Sequence, residues 1–574
     1  MHERGIQIRI WLIALSLFLS FCGLGAKLCY LHLSNHSRVT GREYKRVLLG
    51  LRGGIYDCNG KQYPMAVSLP ARRFYLDPKS VKKEHSVRQI AQTVAQQLDL
   101  PEEEVLAQFK RTDSRYIKLG VSLEDRVFAA LSDEKTISGV ASEEIVIRRY
   151  PQGRRMSHVL GFVNNMGVGG AGIEQQYNSY LTGTPGLIEG EKDAGRREIF
   201  SRRKIHVPPI AGSDIFLTLD HRIQYEVERA IQEAVEKFDA LSAWAIVQHV
   251  STGKILAMAS FPDFEPEKYT ETTLDIWRNN ALAIVYEPGS IMKAVTVSAL
   301  LNEKLATPAT EFEVGEGVWF YAGKPLRDHV YGRITVSTAL KKSSNIACAK
   351  MGLQLGPQKL DGYLRAFNFG SKLGIELPGE ENGILARAKH WDKLKPTRIP
   401  IGQGIAVTGL QMINAYSTLA NEGRMMRPYV IDRIVSPGGE IVMQSKPEVI
   451  GRPVRPEVAR AVREMLMGVT EEGGTGKRAS VGGFSIAGKT GTAQKAVPGG
   501  YSSTDYYASF VGFVPASNPV FSVLVSVERP RPQHTGGFVS APVFARIAAA
   551  TARYLALEPD LPTDDDDELE LAQP

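Results

Sequence analysis

The stretch that decides the fold is Glu287-Pro-Gly-Ser-Ile-Met-Lys-Ala-Val-Thr-Val-Ser-Ala-Leu-Leu301, in which a serine and a lysine precede a run of apolar residues. The apolar run predicts a buried helix. Positions i and i+3 share a helix face, so the ammonium of Lys293 is expected to reach the hydroxyl of Ser290. A lysine acts as a base only where burial or a neighbouring cation lowers its pKa, which predicts a buried cleft around this pair.

Ser-x-x-Lys is a weak signal by itself, because a chain of this composition contains it by chance. Ser80 with Lys83, in a polar lysine-rich stretch, and Ser251 with Lys254, in a predicted hairpin turn, repeat the spacing. Neither pair is followed by an apolar helical run. Both are therefore predicted to be surface positions without catalytic function.

Two later motifs make the signal specific. Ser343-Ser-Asn345 supplies a hydroxyl and an amide at a predicted helix junction, although its simplest role alone would be a helix cap. Lys489-Thr-Gly-Thr492 follows the predicted strand Phe484–Gly488, and its glycines would let a substrate backbone lie close. The three motifs stand 53 and then 146 residues apart. Together they predict serine-based acyl transfer, which needs a base, oxyanion donors and positive groups.

The surrounding pattern predicts an α+β domain. Terminal helices over 221–238 and 541–557, the second starting at Pro542, are expected to pack on a five-stranded antiparallel sheet. An all-helical insert is expected over about 285–425. The expected strands include 243–250 and 255–260, which form a hairpin, and 214–219, 484–487, 507–514 and 521–527.

The N-terminal region predicts a membrane anchor followed by a β-turn-rich region. Ile10–Ala26 carries no charge over 17 residues, and the apolar run extends to Leu33. A cleavable signal peptide with a small-residue site at Gly23–Gly25 is the alternative. Basic residues flank the span on both sides, so charge alone does not fix its orientation. Two short amphipathic helices, separated at Pro101, are expected within 86–110. Strand-like pieces with glycines are expected over 145–190, and a boundary between parts of the chain is expected over 202–212.

Composition excludes several classes of protein. The 11 histidines form no HExxH motif and the four cysteines form no CxxC pair, which disfavours a zinc hydrolase or a redox pair. The net charge of +7 comes from dispersed basic residues without aromatic interleaving, which disfavours nucleic-acid binding. From Glu558 onward there are eight acidic residues and no Lys or Arg, which predicts a disordered acidic tail.

In this order the motifs resemble those of the penicillin-recognising serine D,D-transpeptidases, and most closely a class B penicillin-binding protein of the septal type. One departure is Cys58, where the family's first pedestal motif usually has Arg, which puts a local pedestal contact in doubt. The further matching motifs are Arg52-Gly-x-Ile-x-Asp-x-Asn-Gly60, Arg149-Tyr-Pro151, His158-Val-Leu-Gly161, Gly172-Ile-Glu174, Thr252–Ala259 and Gly512-Phe-Val-Pro-Ala516.

The resemblance implies a role for each motif residue. Ser290 would attack the penultimate D-Ala carbonyl of a peptidoglycan stem peptide, with Lys293 as general base. Ser343, assisted by Lys489, would relay a proton to the departing D-Ala, and Asn345 would bind the donor peptide and orient Lys293. The Lys-Thr-Gly-Thr strand would bind substrate through Thr490, Gly491 and Thr492, with the two threonines on the terminal carboxylate. The oxyanion hole would be formed by the N–H groups of Ser290 and Thr492.

The resemblance also implies an organisation for the chain. The expected parts are a cytoplasmic N-terminus (1–9), a transmembrane anchor (10–33), an elongated β-rich pedestal (34–212), the penicillin-binding transpeptidase domain (213–557) and the acidic tail (558–574). The body would lie outside the bacterial cytoplasmic membrane, at the division septum. Partners would be stem peptides, covalent β-lactams, a polytopic septal glycosyltransferase and other division proteins, with no metal or organic cofactor.

Other functions on the same fold stay open at this stage. An elongation-type transpeptidase would share every motif. The roughly 180-residue pedestal argues against a D,D-carboxypeptidase or a β-lactamase, and the sequence offers no identifiable activator for a deacylating water. A non-catalytic sensor of β-lactams or wall peptides is of a different class, and the intact Lys293, Asn345 and Lys489 argue against it.

Overall fold

The computed structural model describes residues 2–35, 42–82, 85–111, 113–133, 137–193 and 198–562. Most of the predicted acidic tail, from residue 563 onward, lies outside the described residues, as does Lys83 of the first repeated Ser-x-x-Lys.

The described residues form helices and strands along the whole chain. The α-helices are α1 (His2–Asn35), α2 (Val87–Leu98), α3 (Glu102–Phe109), α4 (Asp125–Leu131), α5 (Ser157–Leu160), α6 (Gly172–Gln176), α7 (Asn178–Leu181), α8 (His221–Lys237), α9 (Leu274–Trp277), α10 (Asn280–Ala283), α11 (Lys293–Asn302), α12 (Val336–Lys341), α13 (Asn345–Leu355), α14 (Pro357–Ala366), α15 (Lys395–Arg398), α16 (Gly409–Ala420), α17 (Pro456–Thr470) and α18 (Gly536–Tyr554). The strands are β1 (Arg42–Leu48), β2 (Ile55–Tyr56), β3 (Pro64–Leu76), β4 (Ile117–Ser122), β5 (Val140–Arg149), β6 (Gly186–Lys192), β7 (Ile205–Val207), β8 (Asp214–Leu217), β9 (Ser242–His249), β10 (Ile255–Phe261), β11 (Glu311–Gly315), β12 (Val318–Tyr321), β13 (Lys324–Arg327), β14 (Gly332–Thr335), β15 (Met425–Met426), β16 (Ile431–Val435), β17 (Ile441–Gln444), β18 (Val449–Gly451), β19 (Ala487–Val497), β20 (Gly500–Val514) and β21 (Phe521–Glu528).

The chain divides into two compact units, and the first comprises Met1–Leu51 and Gly183–Ala211. Its strands form an antiparallel sheet in the order β1-β6-β7. In α1, the 26 residues Gly5–Tyr30 are long and apolar enough to cross a membrane, and none of them is buried. At 1.5 Å per residue they extend about 39 Å, more than the roughly 30 Å of a bilayer's hydrocarbon core.

The second unit comprises Arg52–Thr182 and Gly212–Pro574. It contains a seven-stranded sheet in the order β17-β16-β8-β2-β3-β4, with β5 on β3, which combines four strands from before residue 150 with β8, β16 and β17. The two helices expected around Pro101 are α2 and α3, which bury Ile90, Val94 and Val105 in one small core. The expectation of strand-like pieces over 145–190 is wrong over its middle, where α5, α6 and α7 lie. Buried apolar runs as short as Ser157–Leu160 do not distinguish a strand from a helical turn.

A buried ion cluster joins three of the N-terminal motifs. The carboxylate of Glu174 accepts hydrogen bonds from the guanidinium Nε atoms of Arg52 (2.6 Å) and Arg148 (2.7 Å). The Glu174 side chain is fully buried, and those of Arg52 and Arg148 are 7% and 6% exposed. Tyr150 donates to the same carboxylate at 3.3 Å. Removing one member of such a cluster leaves the remaining charges buried without compensation.

The C-terminal part of the second unit is built on an antiparallel sheet in the order β10-β9-β21-β20-β19. This confirms the expected five-stranded sheet. Helices α8 and α18 cover one face with Val227, Ile231, Phe544 and Ile547. Helices α11, α13 and α16 belong to the core on the other face, where α16 is buried throughout.

Three details differ from the sequence expectations. The insert is mostly but not wholly helical, because β11 pairs with β14 and β12 with β13; turns at Gly315, Gly317 and Gly323, with φ between +64° and +79°, make these hairpins possible. The strand expected at 484–487 begins only at Ala487, since Ser485 is held in a loop by Asp560. The last helix begins at Gly536 rather than Pro542, which lies in its second turn.

We predict that Glu174→Ala destabilises the second unit by about 3–5 kcal/mol, because two guanidinium groups stay buried without their carboxylate. Glu174→Gln should cost less, since its amide oxygen still accepts one hydrogen bond. The measurement is denaturant unfolding of the detergent-solubilised chain. Glu448→Ala is the matched control: its pair with Arg427 is exposed, and its loss should cost under about 1 kcal/mol. Equal losses in the Glu174 and Glu448 variants would contradict the prediction.

Candidate active site

Ser290 and Lys293 lie at the start of α11, in the core that also contains α13 and α16. Ser290 is half-buried in a 3₁₀ turn, Gly289–Met292, and Lys293 begins α11. The expectation of one continuous α-helix for both is therefore corrected to a 3₁₀ turn leading into a helix. Nine of the ten residues of α11 are buried, so the helix is enclosed by protein on all sides, and Lys293 is its one charged residue.

Glycine is required behind the serine because three backbone segments meet there. Gly289 has φ +56°, and a Cβ on it would lie 3.1 Å from the carbonyl oxygen of Thr492. A Cβ on Gly402 would lie 2.1 Å from the carbonyl oxygen of Gly289. A Cβ on Gly491 would lie 3.1 Å from both Pro288 O and Ile291 Cγ2. These contacts place the Lys-Thr-Gly strand directly beside the serine turn.

The ammonium of Lys293 joins the first two motifs. Its Nζ donates to the carbonyl oxygen of Ser343 (2.6 Å), to Ser343 Oγ (3.1 Å) and to Asn345 Oδ1 (2.8 Å). A hydrogen bond to Ser290 is not among its contacts with the described residues. Ser343 has φ +60°, a left-handed conformation that is costly for a residue with a side chain. The amine and the backbone thus hold the Ser343 hydroxyl in a fixed position.

Both motif lysines are fully buried, and burial decides their protonation. Burial lowers the pKa of Lys293, while Cys348 and Asp328 oppose this effect. Burial lowers the pKa of Lys489 still further, and the nearby Lys293 cation adds to that effect. A lysine with a lowered pKa supplies the neutral amine that a base requires.

The Lys-Thr-Gly-Thr motif lies within β19, the edge strand of the five-stranded sheet. Its partner is β20, with Lys489 opposite Val511 and Thr492 opposite Ala508. The motif was expected at the end of a strand and instead lies inside one. Because β19 is paired in the sheet on one side only, its other side can bind an extended peptide as a further strand.

A cavity of about 510 Å³ opens at the junction of these elements. It brings together four of the predicted residues, Ser290, Ser343, Thr490 and Thr492. Thr492 also accepts a hydrogen bond from the N–H of Gly536, the first residue of α18, at 3.1 Å. The rest of the described lining is His329, Gly474, Thr475, Lys477, Arg478, Thr535, Gly537 and Phe538.

Sequence reasoning missed Asp328, which follows β13 and belongs to no motif. Its buried carboxylate accepts hydrogen bonds from the hydroxyl of Ser344 and from the N–H of Ile346 (2.9 Å). The preceding residue, Arg327, accepts from Asn345 Nδ2 at 3.2 Å. The end of the β12–β13 hairpin therefore fixes the Ser-Ser-Asn segment. Ser344 also caps α13 by accepting a hydrogen bond from the N–H of Ala347. The Ser-Ser-Asn segment is therefore a helix cap and also a contributor of side chains to the candidate site.

One group of side chains with the donor atoms of a metal site lies elsewhere among the described residues: Asp57, Asp220 and His221. Its carboxylates already accept hydrogen bonds, from Asn59, from Tyr554 and from His221 Nδ1. Cys58 joins this network by donating its thiol to Asp220 Oδ2 at 3.5 Å. With these acceptors occupied, the cluster is a structural network at the start of α8.

The chain is similar to known proteins over most of its length. The sequence model of the penicillin binding protein transpeptidase domain matches residues 243–549, and that of the penicillin-binding protein dimerisation domain matches residues 48–217. The chain is 30% identical to the probable peptidoglycan D,D-transpeptidase PbpC of Pseudomonas aeruginosa, over 98% of this chain and 97% of that one. It is 31% identical to the peptidoglycan D,D-transpeptidase FtsI of Escherichia coli K12, over 91% and 87%.

A solved structure is similar over almost its whole length. Penicillin binding protein 3 of Mycobacterium tuberculosis, complexed with aztreonam, superposes with a TM-score of 0.70 at 26% identity. The match covers 90% of this chain and 99% of that one.

We predict that Asp328→Asn changes the pH dependence of acylation by a penicillin. The Asp328 charge raises the pKa of Lys293 against the effect of burial. With Lys293 as the predicted general base, acylation requires its neutral amine, so the acylation rate should increase as pH rises through that pKa. Without the charge the pKa falls further, and the rising limb should move to lower pH. The maximal acylation rate at high pH should also fall, because the Ser-Ser-Asn segment loses its charged hydrogen-bond acceptor.

The measurement is the acylation rate constant as a function of pH, by stopped-flow or quenched labelling. Glu313→Gln removes an exposed carboxylate on the neighbouring β11 that pairs with Arg333, and its pH profile should match the parent chain. If the rising part of the pH profile of Asp328→Asn stays in place or moves to higher pH, Asp328 does not raise the pKa of Lys293.

Proposed function

The chain belongs to the class B penicillin-binding proteins, the peptidoglycan D,D-transpeptidases, and from this membership we propose that it crosslinks stem peptides through a Ser290 acyl-enzyme during septal wall synthesis. The observation that carries the proposal is the contact of the Lys293 amine with Ser343 and Asn345 beside a cavity lined by Ser290 and Thr490. Residues far apart in sequence supply a nucleophile, a base, a proton relay and carboxylate donors in one cleft.

Acylation begins with the donor peptide lying along β19. In this proposal the Thr490 and Thr492 hydroxyls bind the terminal carboxylate, and Asn345 holds the peptide backbone. Neutral Lys293 takes the Ser290 proton while Ser290 Oγ attacks the penultimate D-Ala carbonyl carbon. The N–H groups of Ser290 and Thr492 stabilise the oxyanion. Ser343, aided by Lys489, passes a proton to the departing nitrogen, and the terminal D-Ala leaves.

Deacylation repeats these steps in reverse order with a second stem peptide. Its side-chain amine attacks the ester carbon of the acyl-enzyme, a 4→3 crosslink forms, and the Ser290–acyl bond breaks. The amine proton returns to Ser290 through the same relay. A β-lactam follows the first half-reaction only, because its ring nitrogen stays attached to the acyl group and no small leaving group departs.

The proposed cellular setting follows from α1 and from the family. Gly5–Tyr30 anchors the chain in the cytoplasmic membrane as a single span, and the folded body lies outside the cytoplasm. A polytopic septal glycosyltransferase and other division proteins are the proposed partners. The septal role is supported by the motif likeness over nearly the whole chain and by the similarity to the FtsI relative.

We predict that Ser290→Ala abolishes covalent labelling by fluorescent penicillin and leaves the thermal transition within about 2 °C, since a half-buried hydroxyl is all that is lost. Lys293→Ala should reduce the acylation rate by at least about a hundredfold, because general-base assistance is worth 10²–10⁴. Ser251→Ala, in the exposed hairpin turn that repeats the motif, is the matched control and should label normally. Undiminished labelling of Ser290→Ala would exclude Ser290 as the nucleophile.

A fluorescent fusion of the full chain tests the septal role. We expect it to concentrate at the division site and to replace a depleted native copy during septation. The Ser290→Ala fusion should localise in the same way without restoring division, because localisation depends on the anchor and pedestal. An even distribution along the growing side wall would favour the elongation-type function instead.

A further inference from the structure

Arg478 lies at the rim of the active-site cavity and has no acidic partner among the described residues. It is exposed, in the 3₁₀ turn Lys477–Ala479. Its guanidinium carbon lies 3.9 Å from the centre of the Phe538 ring, on the first turn of α18. Stacking on an aromatic face holds the planar group in place while its N–H edge stays available for a carboxylate.

The other cation of this turn is already neutralised. Lys477 forms an ion pair with Glu472, which lies outside the cavity lining. None of the described residues that line the cavity is an aspartate or a glutamate. Arg478 therefore contributes an uncompensated positive charge to the rim, which favours an anionic group of the substrate.

Arg478 lies on the Thr490 side of the cavity. Thr475, three residues before it, shares a hydroxyl hydrogen bond of 2.8 Å with Thr490. A Cβ on Gly537, beside Phe538, would lie 2.4 Å from Thr475 O and 3.5 Å from Thr490 Cγ2. Thr475 and the start of α18 thus lie directly against Thr490. In the proposed function Thr490 binds the carboxylate of the terminal D-Ala, so that residue leaves on the Thr490 side, and the acceptor amine enters by the same path because deacylation reverses acylation.

We propose that Arg478 selects the acceptor by binding a carboxylate carried on the same carbon as the attacking amine. The inference rests on the proposed transpeptidation. Such an acceptor has the chemistry of a diaminopimelate-type side chain, whereas the amine of a lysine-type side chain stands on a plain methylene carbon. The amine lone pair forms the new C–N bond, the ester C–O bond to Ser290 breaks, and the amine proton passes to Ser290 Oγ. Arg478 positions the acceptor and exchanges no proton.

The test measures how the acyl-enzyme partitions between aminolysis by an acceptor amine and hydrolysis by water. The detergent-solubilised full chain is supplied with an acyl-D-alanyl thioester donor and with either D-alanine or D-alaninamide as acceptor. The ratio of aminolysis to hydrolysis is read by chromatography. This ratio does not depend on the acylation rate, and comparison with the parent chain cancels the different basicities of the two amines. Arg478→Gln should lower the D-alanine to D-alaninamide preference about tenfold, the loss of one exposed charge-assisted pair.

Lys477→Gln is the matched control, because it removes the same charge from the same turn but from a group that Glu472 already neutralises. It should keep the parent preference, and Arg478→Lys should keep only part of it, since it retains charge without the planar fork. An unchanged preference in Arg478→Gln would overturn the proposal. So would a slower acylation with an unchanged partition, which would assign Arg478 to the leaving group's carboxylate. Failure of the proposed function would look different, as a parent chain that forms no adduct at all.

Discussion

The buried Lys293 amine is the constraint on which the active-site architecture depends. A lysine side chain in an apolar helix is costly unless its nitrogen finds partners. Here the partners are the Ser343 carbonyl and hydroxyl and the Asn345 amide, which come from a segment some 50 residues later in the chain. The same burial that makes these bonds necessary also lowers the pKa of the amine. Stability and reactivity of the site thus have one physical origin.

The five-stranded sheet supplies the edge strand on which we propose that the substrate binds. Its central strands β9 and β21, and the second half of β20, are buried on both faces, whereas β19 lies at the edge beside the serine turn. An unpaired edge strand promotes aggregation in most proteins, because strands of other chains pair with it. In this chain the edge is flanked by the cavity and by the first turn of α18.

Much of this arrangement was predictable because the motif residues have unusual requirements. A lysine at the start of an apolar run, such as Lys293, needs polar partners for its nitrogen once it is buried. Few residues in the chain could serve as those partners. The short apolar runs over 243–250, 255–260, 507–514 and 521–527 likewise predicted strands, which are found within or close to β9, β10, β20 and β21. Asp328 was not predictable, since a lone aspartate after a short strand looks like any turn residue. Its importance comes only from the tertiary contact that places it against Ser344 and Ile346. The 3₁₀ turn at Ser290 was missed for a related reason, because it is imposed by the packing of Gly289 against Thr492 and Gly402.

The close packing of Gly289, Gly402 and Gly491 around the serine turn restricts how this enzyme is able to evolve. No side chain fits at these positions without displacing backbone, so the floor of the cleft is the same for a natural peptide and for an antibiotic that imitates it. Discrimination between the two has to arise at the exposed rim of the cavity, which includes His329 and Thr535. Drug resistance through altered targets is therefore expected to accumulate around the mouth of this cleft and to spare its base.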